Sequence, residues 1–305
     1  MKLIPALLLW VGVNSVLFAQ EDYYTVTAQK GDGIYSILRK QGLDPVKHYE
    51  SFVLLNEKDI KDGSLLHVGR EYKIPVTDDS YKKKGMILMA DNSTEKPIFD
   101  KELGQMSHSG SALKNAVYYI ILEDSSAAAS SFMDDVSKNL AAKLLEQGAS
   151  VFVMGGEEEA KIALTPQERL GNYVASINKR FLQNQGKYQR LLVIKSNGTI
   201  QSGNLDVMVF HHDKSEQGQR MAENLQQVFK KNSIVKREEA SSQTFEDKNM
   251  LFLAKNALPA VSLITLSKQE KTGDEVISVR SDKRKFANWI TDGILKDYAD
   301  LQIEN

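Results

Sequence analysis

Apolar runs and amphipathic stretches alternate along the second part of the chain. Runs rich in apolar residues predict strands at 118–122, 151–154, 190–195, 206–211 and 260–266. Between them, apolar positions at helical spacing predict helices at about 130–147, 166–184, 216–232 and 282–301. Such alternation specifies a mostly parallel sheet that is covered by helices. We therefore predict an α/β domain at residues 117–301.

The first part of the chain predicts a smaller unit with the order β-α-α-β at residues 24–75. An alternating strand is followed by a turn at 31–33, where Asp32 can accept hydrogen bonds from the first free amides of a helix. A second helix is predicted to end near Asn56. A closing strand then leads to Pro75, which ends the unit.

The segment between these two units, residues 76–116, is polar and includes the run Lys82-Lys83-Lys84. We predict a linker or a small irregular element here, whose apolar fragments at 86–89 and 97–99 could form edge strands that dock on the following domain. The lysine run is most simply a solvated turn, and contact with an acidic wall polymer is the alternative. If the two domains are separable, limited proteolysis is expected to cut within this segment.

The first residues follow the layout of a secretory signal peptide. A basic start precedes an apolar run at 3–18, and the small residue Ala19 stands before a polar stretch. We predict a signal peptide at 1–19. The alternative is an N-terminal membrane anchor, although Pro5 and Asn14 interrupt the run and it is short for a bilayer span. We therefore expect a periplasmic or secreted protein with no membrane span after cleavage.

Charge and cysteine content narrow the range of functions. The 39 basic and 40 acidic residues nearly cancel, so the chain lacks the positive surplus that nucleic-acid binding requires and has no broad attraction to anionic membranes. A neutral glycan is compatible with this balance. The absence of cysteine excludes a lipoprotein signal, disulfide bonds, thiolate nucleophiles and cysteine-ligated zinc.

The β-α-α-β unit carries a family resemblance. Three strings follow the LysM pattern in order and spacing, namely YTVTAQKGDGIYSILRKQG, LLNE and LHVGREYKIP. The unit resembles LysM modules, although Gly33 stands where that family prefers threonine or serine and the stretch between the helices is longer than usual. The resemblance implies binding to the N-acetylglucosamine-containing glycan strands of peptidoglycan. It places the glycan contacts beside the first helix and after the second, at Gly31, Asp32, Gly33, Ile34, Tyr35, Asn56, Glu57, Lys58 and Asp59.

The larger unit resembles a second family. Its strings lie in the order found in α/β zinc-dependent N-acetylmuramoyl-L-alanine amidases, and they read AVYYIIL, LAAKLLEQGASVFVM, QRLLVIKSNG, NLDVMVFHHDKSEQGQRMAENLQQVF and LPAVSLITLS. In those enzymes a zinc ion held by histidine, glutamate and histidine polarises a water molecule and the scissile amide, and a second glutamate is the general base. The resemblance implies an amidase-type fold for residues 117–301.

The zinc ligands and the base of that family are missing from the matching positions. These positions hold Asp124, Ala129, Lys195 and Ile264, and a shift of one helical turn puts Asp135 in place of Ala129. Lysine brings a positive charge where the metal's charge would lie, and isoleucine neither coordinates nor accepts a proton. We therefore predict no catalytic residues, no metal and no cofactor, with a salt bridge between Asp124 and Lys195. Zinc is expected only if the domain is an active amidase.

Two other features of the sequence are candidates for ligand binding. His211, His212 and Asp213 form a local cluster with metal-ligand chemistry, but adjacent side chains of a strand point to opposite faces. We interpret them as a strand-end pair, with a weak metal site that includes Asp124 as the alternative. Trp289 lies at an apolar position of the terminal helix and is predicted to lie in the core rather than to form a ligand platform.

Together these features predict an exported peptidoglycan-binding protein. Its second domain is interpreted as an inactive amidase relative that acts in binding or regulation at the cell wall, with an envelope protein as a further partner. The alternatives are an active N-acetylmuramoyl-L-alanine amidase and a structural envelope anchor. The expected partners are peptidoglycan glycan strands and exclude nucleic acid.

Overall fold

The fold is built on two separate β-sheets. The computed structural model describes residues 23–60, 65–90, 95–108, 110–124, 127–156, 164–198, 200, 203–234, 242–268 and 276–304. The predicted signal peptide at 1–19 lies outside these residues. Among the described residues, no helix combines the length and the apolar character needed to cross a bilayer.

The N-terminal module, residues 23–75, has the predicted β-α-α-β order. Its elements are β1 (Tyr23–Thr27), α1 (Ile34–Lys40), α2 (Pro45–Leu55) and β2 (Glu71–Pro75). The two strands pair in antiparallel register from Tyr23 opposite Pro75 to Thr27 opposite Glu71. The helices pack on this ribbon, since a two-stranded ribbon alone is at best marginally stable in water.

A small core holds the module together. Ile34, Ile37 and Leu38 lie three and four residues apart, so they share one face of α1, and all three are buried. They pack with Phe52 of α2 and Tyr72 of β2, whose rings stack at a centroid distance of 6.2 Å. Each such buried side chain contributes about 1.5–3 kcal/mol, and this burial fixes the helices on the strands.

The second unit, which we term the sheet domain, comprises residues 81–304. Its strands are β3 (Gly85–Leu88), β4 (Glu95–Pro97), β5 (Ala116–Asp124), β6 (Ser150–Gly155), β7 (Tyr188–Asn197), β8 (Asn204–His211), β9 (Gln243–Thr244), β10 (Ala260–Lys268) and β11 (Ile277–Arg280). Its helices are α3 (Tyr81–Lys84), α4 (Ala127–Glu146), α5 (Pro166–Gln183), α6 (Glu216–Lys231), α7 (Lys248–Asn256) and α8 (Lys283–Glu304), with a 3-10 turn at Lys101–Gln105.

The strands form one mixed sheet in the order β11-β8-β10-β7-β5-β6-β3-β4, and β9 adds to β8. The five adjacent strands β10, β7, β5, β6 and β3 run parallel to one another. At either side of them, β8 is antiparallel to β10 and β4 is antiparallel to β3. The predicted fold class, a mostly parallel α/β sheet domain that follows a small β-α-α-β unit, is confirmed.

Helices cover both faces of this sheet. Helices α4, α6 and α8 pack on one face, and α5 and α7 pack on the other. Every residue of β5 from Ala116 to Leu122 is therefore buried, which explains why the central strands read as continuous apolar runs instead of alternating ones. Helices α6 and α8 approach so closely that a Cβ at Gly293 would lie 2.9 Å from Leu225 Cα. Only glycine fits there.

The segment 76–116 docks on the sheet domain, in the way that the sequence allowed for its apolar fragments. The fragment at 86–89 lies largely in β3, which pairs with β6, whereas β4 contains only the first residue of the fragment at 97–99 and pairs with β3 at the sheet edge. Phe99, Leu103, Met106 and Leu113 are buried in the core beneath α4. These side chains follow no regular period, so the pattern of the sequence did not indicate that they are core residues. The contacts attach the described part of the segment to the sheet domain.

The same segment also contacts the N-terminal module. The amide of Tyr81 donates to the Gly42 carbonyl at 2.9 Å, and the Ser80 hydroxyl donates to the Gln41 carbonyl at 2.8 Å. Gly42 has a φ of +72°, and a Cβ there would lie 3.1 Å from the Tyr81 amide nitrogen. Glycine is thus required at the junction for its backbone angle and for its size.

Five short elements of the described residues were not predicted from the sequence. They are α3, the 3-10 turn at Lys101–Gln105, β9, α7 and β11, which comprise four, five, two, nine and four residues. Segments of this length offer too few positions for a period to show. The predicted long helices and central strands are present, with ends that differ by a few residues.

The packing of segment 76–116 can be tested by substitution. Leu103 is fully buried, so Leu103→Ala is expected to lower the free energy of unfolding by about 2–5 kcal/mol. The matched control is Leu182→Ala on α5, where the side chain is 56% exposed, with an expected change within about 0.5 kcal/mol. The measurement is urea unfolding of the mature chain. Equal effects of the two substitutions would mean that the segment is a free linker.

Candidate functional site

The first candidate site is the pair of loops beside α1 and after α2 in the N-terminal module. At the first loop, the Asp32 carboxylate accepts hydrogen bonds from the Gln29 amide at 2.9 Å, the Ser36 hydroxyl at 3.0 Å and the Lys40 ammonium at 2.5 Å. Burial favours the neutral form of Asp32, but these donors outweigh it and hold the pKa below its ordinary value. Asp32 therefore serves the turn that leads into α1.

Asn56 also has a structural role. It is 1% exposed, and its side-chain amide donates to the carbonyls of Phe52 and Lys73, both at 2.8 Å. Its side-chain oxygen accepts from the Lys73 amide at 2.7 Å. Both amide hydrogens are used within the protein, so Asn56 joins the end of α2 to β2 and has no donor left for a ligand.

The remaining predicted contact residues divide by exposure. Ile34 is 3% exposed and belongs to the core. Tyr35 is 47% exposed, and its ring packs against the Tyr49 ring with a distance of 5.6 Å between the ring centroids. A Cβ at Gly31 or Gly33 would meet no atom within 4 Å, so the turn is open to a partner. Four of the predicted residues are exposed, namely Gly31, Tyr35, Glu57 and Lys58. Gly33 is half-buried, and its amide donates to the Ser36 hydroxyl at 3.1 Å. Asp59 is partly exposed and paired with Arg70.

The second candidate site lies at the carboxyl ends of the parallel strands, where ligands bind in open α/β sheets. Lys195 of β7 lies opposite Glu123 of β5 and Thr265 of β10. Its ammonium nitrogen lies 3.9 Å from Glu123 Oε2 and 3.6 Å from Oδ2 of Asp247, the residue that caps α7. A lysine thus sits between two carboxylates at this edge.

The predicted salt bridge between Asp124 and Lys195 stays a prediction, because the Asp124 side chain lies outside the described part of the structure; the described partners of Lys195 are Glu123 and Asp247. Asp124 ends β5 as the register partner of Ser196, one position beyond the pair of Glu123 and Lys195. Facing residues of neighbouring strands share a face, so Lys195 shares its face with Glu123. The side chains of Asp124 and Ala129 lie outside the described part of the structure. Asp135, the alternative to Ala129, is ion-paired with Lys283 of α8.

Ile264 lies in the core, fully buried between Ile194 and Val209 of the neighbouring strands. His211 and His212 lie near the opposite end of the sheet, where the His211 ring contacts the His212 carbonyl at 3.1 Å. Within the described ranges, no three His, Cys, Asp or Glu side chains group as metal ligands. An ammonium group and an alkyl side chain cannot coordinate zinc, so the residues at 195 and 264 do not fit that ion.

The three charged groups at the sheet edge have different environments. Burial raises the pKa of Glu123, the nearby Asp247 raises it further, and Lys195 lowers it in part. For Asp247 burial also favours the neutral form, but amide hydrogen bonds from Met250 and Asn249 together with Lys195 lower the pKa overall. The ammonium group of Lys195 therefore stabilises both carboxylates in their ionised form.

Glu123 and Asp247 were not among the residues predicted from the sequence. Glu123 stands one position before the predicted Asp124, and only the strand register distinguishes the two. Asp247 caps α7, a helix that was not predicted, although an aspartate before a helix is an N-cap signal. That signal was present in the sequence but had no predicted helix to support it.

No known protein family matches the sequence, and no curated protein sequence matches it. Solved structures that resemble this one include the CwlD amidase of Clostridioides difficile, in complex with the GerS lipoprotein, at 15% identity and a TM-score of 0.38, covering 60% of this chain and 98% of that chain. The N-acetylmuramoyl-L-alanine amidase AmiC2 of Nostoc punctiforme resembles it at 12% identity and a TM-score of 0.39, and the match covers 62% of this chain and 97% of that chain. An N-acetylmuramoyl-L-alanine amidase of Clostridium difficile 630 resembles it at 14% identity and a TM-score of 0.37, and the match covers 61% of this chain and 97% of that chain. Such identities and scores assign no activity to this chain.

The electrostatic role of Lys195 can be tested by its pH dependence. Lys195→Met keeps the length of the side chain but removes the charge, and we expect a loss of about 1 kcal/mol in unfolding free energy at pH 7. The loss should shrink as the pH falls to 4.5, because the pKa of Glu123 is raised above this ordinary value and Glu123 becomes neutral first. The part that comes from Asp247 should persist to below pH 3.8, because the pKa of Asp247 is lowered from that value.

The measurement is urea unfolding at pH 7 and at pH 4.5. Lys214→Met, at an exposed lysine in the turn after β8, is the matched control and should show a small, pH-independent effect. A loss for Lys195→Met that is equal at both pH values would show that packing, rather than charge, explains the role of Lys195.

Proposed function

We propose that this protein is an exported peptidoglycan-binding protein that acts at the cell wall without hydrolysing it. In this proposal the N-terminal module, which resembles LysM, binds the N-acetylglucosamine-containing glycan strand. The sheet domain is an inactive relative of N-acetylmuramoyl-L-alanine amidases that acts in binding or regulation. The observation that carries the proposal is the position of Lys195 between Glu123 and Asp247, at the edge where the amidase resemblance places a zinc ligand.

The surface of the N-terminal module supports glycan binding. An open glycine turn lies beside the exposed ring of Tyr35, and sugar rings present C–H faces that pack on aromatic rings. Lys58 and Glu57 are exposed and can offer a donor and an acceptor for hydrogen bonds. Hydrogen-bonding groups around an aromatic ring suit a neutral sugar, and the near-zero net charge of the chain agrees with such a partner.

The residues at the carboxyl ends of the parallel strands support the absence of zinc-dependent hydrolysis. Hydrolysis by that mechanism needs three metal ligands and a general base. At two of the four matching positions the structure describes a lysine engaged with two carboxylates and an isoleucine within the core. Restoring a base at 264 would place a carboxylate inside an apolar cluster, where its ionised form is strongly disfavoured.

The signal-peptide pattern of residues 1–19 supports export to the periplasm or beyond the cell. A protein that binds glycan without hydrolysing it can act at the cell wall by binding a second partner there. An envelope protein is therefore proposed as a further partner of the sheet domain.

The glycan proposal predicts a specific effect at Tyr35. Tyr35→Ala in the mature chain is expected to weaken binding to insoluble peptidoglycan about tenfold, since aromatic side chains at the centre of a contact commonly contribute more than about 1 kcal/mol. Tyr24→Ala, at a 38%-exposed tyrosine on β1, is the matched control and should change binding less than about twofold. The measurement is a sedimentation assay with purified wall. Equal binding of all three proteins would exclude the proposed surface.

The absence of hydrolysis is tested on purified sacculi. The mature chain, with added zinc or with a chelator, is expected to release no new L-alanine amino groups, because a cation and an alkyl group stand at positions that need ligands and a base. An active amidase serves as the positive control. Release of amino groups that zinc stimulates and a chelator abolishes would establish the active-amidase alternative.

A further inference from the structure

A groove between α6 and α8 lies away from both candidate sites. It is an open groove with a volume of about 570 Å³, within the range of about 300–1,000 Å³ that small-molecule sites occupy. One wall is the C-terminal turn of α6, which ends at Lys231, and the other is a stripe of α8 from Lys285 to Lys296. Eleven residues along a helix span about 16 Å, so the groove is long enough for a sugar with a charged substituent.

The charge in this groove is mainly positive. Lys231, Lys285 and Lys296 line it together with one acidic residue, Asp292. Across the part of the chain that the structure describes, none of these three lysines is ion-paired, and Lys296 instead donates to the Gln227 side chain. Three cations around one cavity favour an anionic ligand.

At the other end of the pair formed by α6 and α8, the charged side chains are bonded to one another, in contrast to the lysines of the groove. Asp297 of α8 accepts from Arg220 of α6 at 2.9 Å, and Asp300 accepts from Asn224 at 2.9 Å. Asp297 is buried and lies within 3.6 Å of Arg190 on β7. The carboxylates at that end are satisfied within the protein, so the positive groove is distinct from the charge network that fastens the helices.

An aromatic ring forms part of the wall between the lysines. Trp289 is partly buried, and its ring meets Phe229 and Phe286 edge to face, each at a centroid distance of 6.4 Å. Both phenylalanines are fully buried, so they hold the indole in one orientation. The exposed part of Trp289 lines the cavity beside Asn288, which adds an amide that can both donate and accept.

We infer that this groove binds an acidic saccharide, a pyranose that carries a carboxylate. The C–H face of the sugar packs on the indole of Trp289, Asn288 bonds its hydroxyl or acetamido groups, and the lysines bind its carboxylate. The inference is independent of the glycan surface near Tyr35, since the two surfaces share no residue.

The chain offers a selective reporter for this site. It contains two tryptophans, Trp10 and Trp289, and only Trp289 lies beyond the predicted signal peptide. The intrinsic indole fluorescence of the chain from residue 20 onward therefore reports on this groove alone. The probes are N-acetylmuramic acid and N-acetylglucosamine, which differ only in the lactyl group that carries the carboxylate.

We expect N-acetylmuramic acid to change the fluorescence saturably and N-acetylglucosamine to bind at least about tenfold more weakly, because it lacks the charge that the lysines bind. Added salt should weaken the response to the acidic sugar. The double variant K285Q/K296Q should bind about tenfold more weakly, because it removes two of the three cations that bind the carboxylate. The matched control K214Q should bind as the unchanged chain does.

Several results would overturn the inference. They are the absence of a saturable response, an equal response to the two sugars, an equal response to lactate alone, tighter binding of an acidic dipeptide, or unchanged binding by K285Q/K296Q when circular dichroism shows that it is folded. Tyr35→Ala should leave the fluorescence titration unchanged. A failure of glycan binding at the N-terminal module is therefore distinguishable from a failure of this site.

Discussion

Burial of both faces of the central sheet is the constraint that organises this protein. Because helices cover β5, β7 and β10 on each side, the interiors of these strands must be apolar, and polar side chains emerge only where the strands end. The cluster of Glu123, Lys195 and Asp247 lies at such an end. The same rule places Ile264, two residues before Leu266 in β10, within the core and away from any solvent-reachable chemistry.

The charged cluster at this end of the sheet adds side-chain contacts to the backbone pairing of the strands. A partly buried carboxylate such as Glu123 is destabilised in its ionised form unless a cation is near, and Lys195 supplies that cation from the adjacent strand. Asp247 brings in a third chain segment, the start of α7. Three elements distant in sequence are thereby joined through one ammonium group, which in our proposal stands where a metal would join them in an amidase.

The junction between the two units gives the segment 76–116 its role. It supplies the edge strand β4 and its neighbour β3 to the sheet, and it adds core side chains beneath α4. It also bonds to Gln41 and Gly42 of the N-terminal module. The Tyr81 ring adds a parallel stack on His108 at 4.1 Å. These contacts fasten the N-terminal module to the sheet domain.

The sequence by itself determined the elements whose residues are close together along the chain. Apolar spacing was enough to predict the β-α-α-β order, the long helices and the central parallel strands, since both periods are local properties of the backbone. Tertiary structure alone decided the partner of Lys195, the structural role of Asn56, and the cavity beside Trp289. Strand register and helix packing set those contacts between residues far apart in sequence, and a shift of one position exchanges the faces of a strand.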